Sequence, residues 1–245
     1  LNPKDKNRDR IIMSKGHGAL ALYCMLEMKG IITKEDANTF EHNGTSLFAH
    51  AKRNIEKGIE FSGGSLSLGF SFAVGVALSC KCFGNHIYVI LGDGECNEGS
   101  VWEAAEFANH YKLDNLVAIV DHNHMQSLDY CNNTLEVDMA KRWEGFGWNV
   151  IEVDGHNHDE LRKALKDTSN SEKKPTVVIA HTVKGKGISF MESDILWHYR
   201  FPHDGWEYNC AVNELHKTKP DNVVDPYTPE GCPKCESEPE HCHHT

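Results

Sequence analysis

Four short runs of continuous apolar residues punctuate the chain and predict strands at 87–91, 116–121, 150–153 and 176–180. Runs this short, with no polar alternation, fit strands covered on both faces. Helical patterns lie around them. The stretch from Ala19 to Met28 reads as a buried helix stopped at Gly30, and Thr33 is placed to cap a short helix at 34–36. Gly69 to Cys80 is apolar nearly all round and is expected to lie inside the protein. Residues 100–110 are rich in helix formers, and a polar helix is expected near 159–168. A polar lead covers residues 1–10, and 41–61 reads as loop. Helices alternating with buried strands give an α/β fold, a mostly parallel sheet with helices on both faces.

Candidate chemistry sits at the ends of two strands. Gly92-Asp93-Gly94 follows the first run directly, and Asn123 comes thirty positions after Asp93, just past the second run. A parallel sheet aligns the carboxyl ends of its strands on one edge, where ligands bind. A carboxylate and an amide oxygen brought together there suit Mg²⁺, which takes oxygen ligands and usually completes its shell with substrate phosphates. Glycines beside the Asp allow close backbone approach to an anion and the positive φ such a turn can require. The helix after the turn would aim free N–H groups at the same anion. On turn chemistry alone, Gly-Asp-Gly is more often a plain tight turn.

Context narrows the choice. With its Gly-Asp-Gly and distant Asn, the chain resembles the thiamine diphosphate enzymes and, within them, the transketolase family. Ser14-Lys15-Gly16-His17-Gly18 is similar to that family's Gly-His-Gly segment, and Phe48-Ala49-His50-Ala51 to its Pro-Gly-His-Pro. Gly63-Gly64-Ser65-Leu66, the small-residue stretch 69–78, Arg142 to Trp148 and Asp154-Gly155-His156 continue the match. Thr182 to Gly187 and Trp197-His198-Tyr199-Arg200 complete it. Two departures stand out: Ser67-Leu68-Gly69 replaces the family's Gly-Gln-Gly, and Ala51 replaces its proline. The family's upstream Gly-His stretch has no counterpart before Leu1, which leaves a shortened chain or an incomplete site as readings.

The resemblance implies the thiamine diphosphate-binding fold, its diphosphate-binding domain, and a set of roles. Asp93, Asn123 and the backbone carbonyl of Met125 are implied as Mg²⁺ ligands. Gly92, Gly94, Glu95, His17 and His198 are implied on the thiamine diphosphate, and Gly64, Ser65 and Leu66 beneath its aminopyrimidine. His50 is implied on the substrate side, where an imidazole can move protons at neutral pH. Glu98 matches a glutamate that links two cofactor sites across a dimer, while as a helix-start acid it also suits the dipole. Lys186, with Lys184, is read as ordering a loop over the cofactor, against solvated lysines between glycines.

Length then limits the whole. At 245 residues the chain fits one α/β domain, read as 1–216, with a Pro-, Cys- and His-containing tail at 217–245. The general-acid glutamate of this family belongs to a pyrimidine-binding domain, which is not recognisable here. The implied machine is therefore split: a separate pyrimidine-domain subunit, in an oligomer such as a heterotetramer, would complete a transketolase-like enzyme acting on sugars or sugar phosphates. Another thiamine carboligase, deoxyxylulose-phosphate-synthase-like or sugar-modifying, and a non-catalytic paralogue are the alternatives.

Charge and cysteines refine the setting. A formal charge of −11 with no dense basic tract argues against nucleic acid or an anionic membrane as partner. No long apolar stretch or signal-like start is present. Cys24, Cys80, Cys82, Cys96, Cys131 and Cys210 are scattered as reduced thiols would be, which points to a cytoplasmic location. Cys232, Cys235, His241, Cys242, His243 and His244 offer zinc ligands in the tail, although the gap between the pairs is short for a zinc finger.

Overall fold

A computed structural model describes residues 2–127, 129–135, 137–168 and 173–217. Five strands, β1 (Arg10–Met13), β2 (Ile87–Gly92), β3 (Leu116–His122), β4 (Asn149–Asp154) and β5 (Thr176–His181), pair in the order β1-β2-β3-β5-β4. Every pairing is parallel. The four predicted strands are present, and β1 is an addition within and just past the polar lead. Its four residues, Arg10-Ile11-Ile12-Met13, are too short a run to register as a strand without the neighbour β2 that supplies its hydrogen bonds.

The helices are α1 (Ala19–Met28), α2 (Lys34–Ala37), α3 (Leu68–Cys80), α4 (Gly99–His110), α5 (Cys131–Thr134), α6 (Met139–Gly145), α7 (His158–Asp167) and α8 (Trp206–Lys217). Their starts are written in side chains that accept otherwise orphaned N–H groups. Thr33 accepts from Asp36, Asp138 from Lys141, and Asn157 from both Asp159 and Glu160.

Alternating strand residues divide between two apolar layers. Ile87, Val89, Leu91, Leu116, Ala118, Val120, Val177 and Ile179 pack with α3, α4 and α6, around Phe70, Trp102, Trp143 and Trp148. Val117, Ile119, Val178 and Ala180 point the other way, against Leu161, Ala164 and Leu165 of α7. Helices thus cover both faces, which is why the strands read as unbroken apolar runs. A third cluster, Tyr23, Leu26, Leu47 and Ile59, seats α1 on the loop that follows it.

Helix α3 departs from its all-round apolar pattern in one respect. Phe70, Ala73, Val74 and Ala77 are buried, whereas Leu68, Phe72 and Leu78 are 48%, 36% and 40% exposed. One face of α3 packs into the core, and on the other Phe72 meets the Phe61 ring, 5.2 Å away between centroids. Five described cysteines are free, but Cys210 is disulfide-bonded, contrary to the expectation of scattered reduced thiols. Pairing depends on which sulfurs the fold brings within bonding range, which spacing does not reveal. The tail's zinc ligands, from Cys232 onward, lie outside the described residues.

Candidate cofactor site

A cleft of about 760 Å³ opens at the carboxyl ends of β2 and β3. The register pairs Gly92 with Asp121, so the residues just beyond each strand, Asp93 and Asn123, enter one cleft from adjacent loops. His17, His50, Leu66, Gly92, Gly94, Glu95, Glu98, Met125 and His198 line it as well.

Asp93 is 3% exposed. Its Oδ1 accepts the backbone N–H of Gly94 at 2.7 Å, and its Oδ2 accepts that of His124 at 2.5 Å. Burial raises its pKa against the pull of those two N–H groups. A buried carboxylate that bonds no cationic side chain among the described residues suits a metal ion. Asn123 is held by its neighbours: its Nδ2 donates to Asp121 at 3.2 Å and its Oδ1 accepts the N–H of Met125 at 3.0 Å. Asp121 in turn pairs with the Lys15 ammonium and accepts the Thr182 hydroxyl. Burial works to raise the Asp121 pKa, and Lys15 with these hydrogen bonds outweighs it, leaving the group below its ordinary value.

The cleft carries positive charge and neutral imidazoles. Lys15 and Lys184 both line it, and burial together with Lys15 lowers the Lys184 pKa. His17 and His198 face each other with ring centroids 6.1 Å apart. Partial burial, then Lys15, His198 and Lys184, bring His17 down to about 4, so the ring is neutral at pH 7. The Nδ1 atom of His198 is buried without a hydrogen-bond partner among the described residues. Such an orphan calls for a ligand. Two ammonium groups, two imidazoles and an unpartnered ring nitrogen fit a diphosphate, and the Asp93 and Asn123 oxygens fit the hard divalent cation that accompanies one.

Glu95 does something different from its neighbours. It is 2% exposed; its Oε1 accepts the Ser14 hydroxyl at 2.5 Å and the Ser67 N–H at 2.9 Å, and its Oε2 accepts the Gly92 N–H at 3.0 Å. One carboxylate therefore ties the end of β1, the start of α3 and the end of β2 together. Ser67, where the family has glycine, stands in the left-handed region at φ 73° and starts α3.

The turn glycines act through space rather than through positive φ. Neither Gly92 nor Gly94 adopts it, and a Cβ on Gly94 would lie 2.6 Å from the Gln126 Cβ. The turn also differs in shape: a 3₁₀ segment, Gly94–Asn97, separates the strand from α4, whose N-terminus begins only at Gly99 after Glu98. Gly64 does need its glycine, at φ 141°.

Of the remaining residues singled out from the sequence, Gly64 and Ser65 do not line the cleft, though Leu66 does. Lys186 is turned to Glu192, 3.3 Å away, and Lys184 takes the place facing the cleft. The sequence by itself assigns no role to Lys15 or Asp121. The only signal for Lys15 is its place between Ser14 and Gly16, and Asp121 reads as the last residue of a strand.

Comparison with known proteins gives the family. The family model for the transketolase thiamine diphosphate binding domain matches residues 1–198. The chain is 42% identical over 221 residues to a 6-deoxy-6-sulfo-D-fructose transketolase subunit of Clostridium sp. (strain MSTE9), covering 88% of this chain and 79% of that one. It is 41% identical to an apulose-4-phosphate transketolase subunit of Phocaeicola vulgatus, covering 87% and 76%. The crystal structure of Campylobacter jejuni transketolase superposes with a TM-score of 0.75 at 30% identity, covering 80% of this chain and 33% of that one. The chain thus spans about a third of the solved transketolases it matches. By its sequence, its parallel sheet and its cleft, the chain belongs to the transketolase family, in which it corresponds to the thiamine diphosphate-binding domain.

Proposed function

We propose that this chain is the diphosphate-binding subunit of a split, transketolase-like enzyme that transfers a two-carbon ketol unit between sugars or sugar phosphates, using thiamine diphosphate and Mg²⁺. The observation that carries the reading is the convergence of Asp93 and Asn123, from neighbouring strands, on a cleft that also holds Lys15, His17 and His198. When bound, the cofactor supplies a nucleophilic carbon and a sink for the carbanion that follows. The chain's own residues bind and orient it. Asp93, Asn123 and the Met125 carbonyl would hold the cation, while Lys15, His17 and His198 would take the diphosphate. His50 would hold or move a proton at a substrate hydroxyl. Its ring lines the cleft and packs on Gly16, where a Cβ would come within 2.8 Å of it.

A partner subunit is part of the proposal. The relatives of similar length are named as subunits, and the outer face of α3 exposes Leu68, Phe72 and Leu78 beside Leu66 at the cleft mouth. An apolar face of this kind on a charged, acidic chain marks a contact surface. Reconstitution with the pyrimidine-domain subunit is the test: ketose donors should turn over and pyruvate should not. Turnover of pyruvate alone would favour the related carboligase. Failure to bind thiamine diphosphate and Mg²⁺ by calorimetry, even with the partner present, would favour a binding paralogue and end the proposal.

A further inference from the structure

A second cluster of ligands lies at the carboxyl ends of β3 and β5, on side chains that the proposed function does not use. His122 ends β3 and His181 ends β5, and the register pairs them directly. Their Nδ1 atoms are 3.3 Å apart. His124, two residues on, has φ 62°, and its ring lies 4.1 Å from that of His122, centroid to centroid. One nitrogen from each of the three rings falls within 4.8 Å of the others.

The tautomers are set from outside the cluster. Glu152, on β4, lies 2.8 Å from Nε2 of His181. A carboxylate there accepts a hydrogen bond from Nε2–H and so keeps the proton on Nε2, leaving Nδ1 of His181 to present its lone pair to His122. This is the carboxylate–histidine arrangement that orients and strengthens imidazole ligands. The spacing fits as well. Two nitrogens, each about 2.0–2.1 Å from a tetrahedral ion, stand about 3.3 Å apart, the separation found between His122 and His181.

We propose that His122, His124 and His181 form a site for a divalent transition-metal ion such as Zn²⁺, distinct from the Mg²⁺ position at Asp93 and Asn123. Imidazole nitrogens select borderline transition metals over Mg²⁺, which prefers oxygen. Three protein ligands leave one position for water, and the exposure of His124 and His181 gives the ion a path from solvent. A small cavity of about 160 Å³, lined by His122, His124, Asp93 and Cys131, leaves space for that water. An ion bound here would tie the ends of β3 and β5 together and brace the turn on which Asn123 stands.

Co²⁺ and Zn²⁺ are the probes, with the full chain and no thiamine diphosphate present, so the outcome is independent of the cofactor reading. Co²⁺ absorption should report one tetrahedral site without the charge-transfer band of thiolate ligation, which separates it from the cysteines of the tail. His181→Ala should weaken Zn²⁺ binding roughly 100-fold, and Glu152→Gln, which leaves all three rings in place, roughly 10-fold or more. Circular dichroism should show both variants folded. A Co²⁺ spectrum unchanged by His181→Ala, unchanged affinity in the His181→Ala and Glu152→Gln variants, or no Co²⁺ bound would each overturn the site.

Discussion

The Oδ2 atom of Asp93 accepts the backbone N–H of His124 at 2.5 Å, so the loop after β2 grips the loop after β3 one residue beyond Asn123. Removing the carboxylate therefore does two things at once: it deletes a ligand and frees the turn that carries another. Asp93→Ala is expected to abolish Mg²⁺-dependent binding of thiamine diphosphate, a loss of at least about 100-fold. Calorimetry of the variant with its partner subunit reads this directly, and unchanged affinity would remove Asp93 from the site.

Glu95 predicts a stability effect. Its carboxylate satisfies the N–H groups of Ser67 and Gly92 and the hydroxyl of Ser14, all at buried or nearly buried atoms. Glu95→Ala leaves those donors unpaired and opens a void, which should cost about 3 kcal/mol. Urea denaturation is the measurement. A loss below about 1 kcal/mol would mean that the three segments do not depend on this strut.

Gly94 offers a paired test. A methyl group there meets the Gln126 side chain at 2.6 Å, so Gly94→Ala should lower stability by about 1–3 kcal/mol through overpacking. Shortening the obstacle with Gln126→Ala, whose Cβ remains, should recover only part of that loss, whereas Gln126→Gly should recover most of it. Equal stability across the series would show that the turn yields freely.

His17 sets a pH dependence. Partial burial and then Lys15 bring its pKa down to about 4 from 6.5. Between these values the unfolded chain takes up a proton that the folded chain refuses, so stability falls as pH drops from 6.5 toward 4. His17→Asn should flatten part of that slope. In NMR titration the His17 ring should titrate near 4, and Lys15→Gln should move the midpoint upward. A midpoint near 6.5 in the parent chain would contradict the neutral imidazole.

Much of the site was legible because it is local. Asp93 and Asn123 each follow an unbroken apolar run, and a run of that kind already implies a strand whose end is a loop. The helix cap at Thr33 is equally local, since it acts within three residues of itself. Lys15, by contrast, carries no periodic signal. Its role depends on β1 lying beside β2, which brings its ammonium to Asp121, 106 positions away. The work of Glu95 as a strut is hidden for the same reason, because its partners Ser14 and Ser67 come from two distant segments.

The sequence alone determined four of the five strands, most of the helices and many of the residue types at the cleft, because burial pattern and turn chemistry act between near neighbours along the chain. Only the tertiary structure decided which strands adjoin, and with that the pairing of His122 with His181, the facing of Lys184 rather than Lys186 to the cleft, and the exposure of one side of α3. Those outcomes depend on contacts between residues far apart in the chain. An apolar pattern records that a side chain is to be buried, but not which partner buries it.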